Sequence, residues 1–116
     1  MKYVLILFTA LIIFSCTKTT SSDSISTPSC TRAAIDSSLA KPKGTLYVKI
    51  DQYQYNGATV YLYYAGCCDR TNDVRDVNCV FLFSPSGGIT GCGDCTHPNF
   101  FTEAHLVGNV WTDTRP

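Results

Sequence analysis

The stretch GTLYVKIDQYQYNGATVYLYYA, Gly44 to Ala65, decides the fold. In its first half Leu46, Val48 and Ile50 alternate with Thr45, Tyr47 and Lys49, the period-two pattern of a half-buried strand. A polar run, Asp51 to Gln54, then leads to Asn56-Gly57, a pair that tolerates the positive φ angles of a tight hairpin turn. In the second half Ala58, Val60, Leu62 and Tyr64 share one face, and Thr59, Tyr61 and Tyr63 the other. The stretch reads as a β-hairpin and the chain around it as mostly β.

Working outward, a third strand is expected at Cys79 to Phe83, ended by Ser84-Pro85-Ser86-Gly87-Gly88, and a fourth within Leu106 to Thr112. His97 to His105 fits a short helix or a strand. Thr96 is a candidate cap for the helix, and Pro98 suits a first helical turn. Upstream, ten of the fifteen residues from Thr17 to Thr31 are Ser or Thr. So little apolar surface cannot offset the entropy of ordering, and the segment reads as a flexible tether. Arg32 to Ala40 has the makings of a helical turn or two, stopped by Lys41-Pro42-Lys43-Gly44. The expected plan is a signal segment at 1–15, a tether at 16–43 and one small β domain at 44–116.

Gly44-Thr45-Leu46-Tyr47-Val48, followed by Asn56-Gly57-Ala58-Thr59-Val60-Tyr61-Leu62-Tyr63, is similar to the opening of carboxypeptidase regulatory-like domains, which are transthyretin-like β-sandwiches. Val110-Trp111-Thr112-Asp113 resembles the Thr-Asp that begins a later turn in them. The resemblance covers residues 44–64 and implies a small Ig-like or transthyretin-like sandwich. Family members carry further strands after the Thr-Asp turn, so the expectation here is an incomplete sandwich, one rebuilt around the cysteine-rich insert, or a different fold. The resemblance also implies a binding or spacer module without catalytic residues of its own.

The N-terminus opens with Lys2 and an apolar run from Tyr3 to Phe14. Twelve residues rise only about 18 Å on a helix, short of the roughly 30 Å hydrocarbon core, so an export signal is expected rather than a span. Ordinary cleavage after Cys16 would put the bulky Phe14 at −3. Ile13-Phe14-Ser15-Cys16 instead resembles the bacterial lipobox in the looser form of Bacteroidota lipoproteins, with Cys16 carrying the lipid. An ordinary secreted protein with an extra cysteine is the alternative. With Cys16 at the new N-terminus, loss of Lys2 leaves 8 cations against 9 anions. No basic patch points to nucleic acid, and attachment to the membrane would come from acyl chains. The expected location is a bacterial envelope membrane, the outer one, on its periplasmic face or at the cell surface.

Setting Cys16 aside leaves Cys30, Cys67, Cys68, Cys79, Cys92 and Cys95, an even number that reads as three disulfides in an exported chain. A folded region this small needs such braces. At a strand end Cys67 and Cys68 should point to opposite faces, so separate partners are expected, with Cys92 and Cys95 the candidates. Cys30 and Cys79 then pair, pinning the tether to the third strand. The competing reading is zinc, with Cys92, Cys95, His97 and Cys67 as tetrahedral ligands, or thiol chemistry at Cys92-Gly93-Asp94-Cys95. The glycine loop and Asp94 weigh against a reactive thiol, and the adjacent second pair and an oxidising compartment weigh against zinc.

Asp69, Thr71, Asp73 and Asp76 fall in one polar stretch that lacks the glycine and terminal Glu of an EF-hand, and it reads as a solvated loop. His97 and His105 have no nucleophile in a recognisable setting. Tyr47, Tyr61 and Tyr63 form a tyrosine face with two readings: a second core face, or an exposed surface for a sugar or a protein. The expectation is a lipid-anchored, non-catalytic accessory or binding protein with no cofactor. Its partners would be the membrane, through Cys16, and a protein or carbohydrate ligand, not nucleic acid.

Overall fold

A computed structural model describes residues 24–116. The elements run α1 (Ser29–Leu39), β1 (Tyr47–Tyr55), β2 (Ala58–Ala65), β3 (Thr71–Arg75), β4 (Phe81–Gly87), α2 (Phe100–Glu103) and β5 (His105–Thr112). All five strands join one antiparallel sheet in the order β4-β3-β2-β1-β5. The β1–β2 hairpin turns at Asn56 and Gly57, both at positive φ, and pairs Tyr55 with Ala58. The described residues thus form a single sheet, not the two sheets of a transthyretin-like sandwich. Helices and loops do the covering that a second sheet would do.

Each face has its own core. On one, Tyr53, Val60, Leu62, Val74 and Phe83 pack with Phe100 of α2, and Tyr55 and Tyr64 lean against them. On the other, Ile50, Tyr61 and Tyr63 lie under Ala34 and Ile35 of α1, flanked by Tyr47, Val110 and Trp111. Tyr61, Tyr63 and Phe100 are fully buried. Burial of large apolar side chains contributes about 1.5–3 kcal/mol each, so these three rings anchor the two layers.

Several elements depart from the sequence reading. Residues 26–43 are folded onto the domain. Ser26 Oγ bonds Tyr61 Oη at 2.6 Å, its N–H donates to Gln52 Oε1, and Thr31 Oγ1 meets Tyr63 Oη at 2.7 Å. The helix carries no broad apolar stripe because it docks through polar contacts to tyrosine hydroxyls, and Thr31 and Ser38 are buried. The stretch read as a polar loop contains β3, which one apolar residue, Val74, fixes by pairing with Leu62 and Phe83. Its polar side chains bond locally: Asp73 accepts from Thr71 and Ser84 and pairs with Arg75, whose Nε is buried without a partner. β4 begins two residues later than expected and runs through Pro85 to Gly87. Between His97 and His105 the chain forms α2, which starts after Asn99 without a side-chain cap, so Thr96 does not cap it. Thr96 instead binds Asp94. The signal segment at 1–15 and Cys16 lie outside the described residues.

Candidate functional site

Three disulfides join Cys30 to Cys79, Cys67 to Cys68 and Cys92 to Cys95. Such a set marks an extracytoplasmic protein. The expected links from Cys67 and Cys68 to Cys92 and Cys95 are not formed. That expectation extended the strand too far: β2 ends at Ala65, and Cys68 and Asp69 sit at φ 66° and 51° in a turn. There the alternating directions of a strand no longer apply. Cys30–Cys79 spans 49 residues and ties α1 to the β3–β4 turn. Loop-closure entropy gives such a long bridge about 4 kcal/mol, and a bridge between neighbours only about 1 kcal/mol.

The proposed zinc ligands are not gathered. Cys92 and Cys95 are bonded to each other and Cys67 to Cys68. His97 stacks on Phe83 at 3.7 Å between ring centroids, with Nδ1 bonded to Thr96 Oγ1. Among the described residues no three His, Cys, Asp or Glu side chains stand together as a metal site. The Cys92–Cys95 loop is tied down on every side. Gly93 N–H donates to Gly87 O, Asp94 N–H to Ser84 O, and the Asp94 carboxylate accepts from Ser84 N–H and from Thr96. Partial desolvation pulls the Asp94 carboxyl upward, but the bonds from Thr96 and Ser84 hold it below the ordinary carboxylate range.

The tyrosine face is interior. Tyr61 and Tyr63 are fully buried and Tyr47 is half-buried, its ring edge-on to Tyr63 at 5.1 Å. Arg75 lies over Tyr63 at 5.2 Å and donates to Tyr47 Oη. Burial raises the Tyr63 phenol above its usual pKa against the lowering effect of Thr31 and Arg75. Tyr61 and Tyr63 belong to the core and offer no face for a sugar, while Tyr47 packs against them at its edge and keeps part of its ring exposed.

Exposed apolar side chains are scattered at Ile25, Leu39, Ile89, Phe101 and Leu106, and cluster in sequence only at Val77 and Val80 to Leu82, where β4 begins. As an edge strand β4 pairs with β3 on one side only. From Ser84 to Gly87 the loop at Cys92–Asp94 covers its outer edge, through the Asp94–Ser84 and Gly93–Gly87 bonds and a bridge between Gly87 and Cys92. Pro85 is buried beneath and has no N–H to satisfy. The other half is open: Phe81 and Leu82 are 53% and 43% exposed, and Val80 and Val77 adjoin them at 56% and 47%, with the Val80 main chain bonded to Asp76. Leu82 is skipped in the β3 register, where Val74 faces Phe83 and Arg75 faces Phe81. No charged residue occurs between Asp76 and Asp94. Edges in monomeric proteins are commonly blunted by a charge or a cover; Asp76 caps Val80, and Phe81 and Leu82 have neither. The sequence showed the apolar triplet but gave no sign that it would face outward, since a core strand reads the same way.

The chain belongs to the family described as a domain of unknown function, DUF6970, whose model matches residues 36–113. The match runs from the second half of α1 to the end of the sheet and takes in Cys67, Cys68 and the whole β4 edge. No curated protein and no solved structure matches the chain.

Proposed function

We propose that this protein is a lipid-anchored accessory module of a bacterial envelope, non-catalytic, that holds an extended segment of a partner protein against the open half of β4. The exposed Phe81 and Leu82 on the outer edge of β4, with the Val80 side chain beside them, carry the reading. An added strand would gain main-chain hydrogen bonds along β4 and apolar contacts with these side chains. With the tyrosines buried, a protein ligand is favoured over a carbohydrate. The anchor is the lipid on Cys16, in the outer membrane, and the disulfides support an exported location.

The anchoring geometry is tighter than a long tether would give. Eight residue steps separate Cys16 from Ser24, where the described fold begins. At ~3.5 Å per residue the span is at most about 28 Å, so the domain works close to its membrane. The test is a photo-reactive side chain placed at Leu82 and, as control, at Asp36 on the exposed side of α1, in cells that export the protein. The expected result is a discrete adduct from Leu82, absent from Asp36 and suppressed by Val80→Lys. Adducts of equal yield at both positions, or none at Leu82, would reject the edge as the binding site.

A further inference from the structure

We propose that the Cys67–Cys68 disulfide is a thiol–disulfide exchange site that accepts two electrons from a dithiol of an exported protein. This goes beyond the edge-binding reading, does not depend on it, and describes one stoichiometric exchange per chain rather than a catalytic cycle.

Both cysteines are exposed, at the apex of the turn between β2 and β3. The bridge joins sequence neighbours, with Cα atoms 3.7 Å apart, and so restricts almost none of the unfolded chain. It is therefore a poor brace. Cys68 and its neighbour Asp69 stand successively in the left-handed region, which L side chains disfavour, whereas Cys79 and Cys95 of the other two bridges stand there singly. Opening the ring would let that backbone relax, which favours the reduced form. Exposed bridges in strained backbone are the labile ones.

The base of the turn is fixed independently of the bridge. Gly66 N–H donates to Leu46 O, and a Cβ on Gly66 would fall 2.2 Å from Gly44 O, so the two backbones lie in direct contact. On the far side Gly88 N–H donates to Arg70 O at 3.0 Å, and the Arg70 guanidinium donates to Thr45 O at 3.1 Å. The apex can open while the sheet beneath it stays closed. Cys92–Cys95 differs on this point. Its loop is held to β4 by the Gly93 and Asp94 bonds, so its two sulfurs stay close after reduction and re-form the bond. Cys30–Cys79 is half-buried beside Thr31 and Tyr63.

The step balances without a further reagent. A thiolate of the partner attacks one Sγ, the Cys67–Cys68 bond breaks, and the leaving sulfur takes up a proton. The partner's second thiol loses its proton and attacks the mixed disulfide, closing a disulfide on the partner. The second cysteine leaves as a thiolate and is protonated. Two electrons and two protons pass from the partner to Cys67 and Cys68.

The test uses the natively folded full chain in graded mixtures of reduced and oxidised glutathione, quenched in acid and alkylated for peptide mass spectrometry. Cys67 and Cys68 should take up label as a pair at a reducing ratio at least tenfold milder than either other bridge requires. A reduced peptide containing Cys-x-x-Cys serves as the dithiol probe. Its oxidation should be lost in Cys67→Ser/Cys68→Ser and kept in Cys92→Ser/Cys95→Ser, with circular dichroism showing both variants folded. Reduction of Cys92–Cys95 first, reduction of Cys67–Cys68 only together with Cys30–Cys79, or peptide oxidation unchanged in Cys67→Ser/Cys68→Ser would each overturn the proposal.

Discussion

Arg115 grips Asp113 with two side-chain bonds, Nε to Oδ1 at 2.9 Å and Nη2 to Oδ2 at 2.7 Å, and its backbone N–H adds a third at 3.1 Å. The same guanidinium donates to Ser38 O, Leu39 O and Lys41 O at and just past the end of α1, of which Ser38 O also accepts from Lys41 N–H. Lys43 Nζ in turn donates to Arg115 O. One pair of residues after β5 thus fastens the helix that covers the tyrosine core. The hydrogen bonds from Arg115 lower the Asp113 carboxyl to about 2.

That shift sets the acid limit. The folded value lies below the ordinary ~3.9, so the stabilisation is fully present above that value and is lost as pH falls through about 2. Urea midpoints measured between pH 6 and 2 should fall on the acid side. In Asp113→Asn they should start lower at pH 6 and vary less. Arg115→Ala should weaken the fold at pH 6 more than Lys41→Ala does, because only Arg115 binds both the carboxylate and the helix end.

On the alkaline side the tyrosines act. Burial raises Tyr63, and burial together with a bond to Tyr53 raises Tyr64. A phenol raised in the folded state stabilises it below the unfolded value of ~10, and this contribution is lost as pH rises beyond it. Chemical denaturation should show stability level to about pH 10 and declining above. Tyr63→Phe should soften the decline. That variant also removes the bond to Thr31, at a cost of about 1 kcal/mol at neutral pH.

Gly66 should tolerate no side chain. A methyl group there would meet the Gly44 backbone, which has no flexible end to swing away, so Gly66→Ala should cost about 1–3 kcal/mol. Gly57→Ala meets open space and bears only the strain of φ 77°, about 1 kcal/mol. Thermal melts of the two variants give the order.

The Cys30–Cys79 bridge should dominate disulfide stabilisation. Cys30→Ala/Cys79→Ala should lose about 4 kcal/mol in guanidinium titrations, and Cys67→Ser/Cys68→Ser about 1 kcal/mol or less. Equal losses would contradict the loop-length argument.

The hairpin was legible because Asn56-Gly57 and the alternation around it are local signals, and the strand at Leu106 to Thr112 was placed to within a residue. The remaining elements depend on contacts distant in sequence. β3 carries one apolar residue, and α1 binds through hydroxyls, so neither shows a hydrophobic period. The tyrosine face was visible, yet alternation cannot say whether a second face is covered. What covers it is a Ser-rich helix that composition assigns to a tether. The Cys67–Cys68 pairing turned on where β2 ends, and the two positive φ angles that end it fall on residues other than glycine.

The most direct test of an exported, anchored, three-disulfide domain is the intact mass of the mature protein taken from cell envelopes under acid quench. The mass is read after iodoacetamide labelling, with and without prior reduction. The account predicts an N-terminus at Cys16 bearing acyl chains, at most the Cys67 and Cys68 pair labelled before reduction and six labels after it. A mass placing the N-terminus elsewhere without lipid, or more than two labels taken up before reduction, would contradict it.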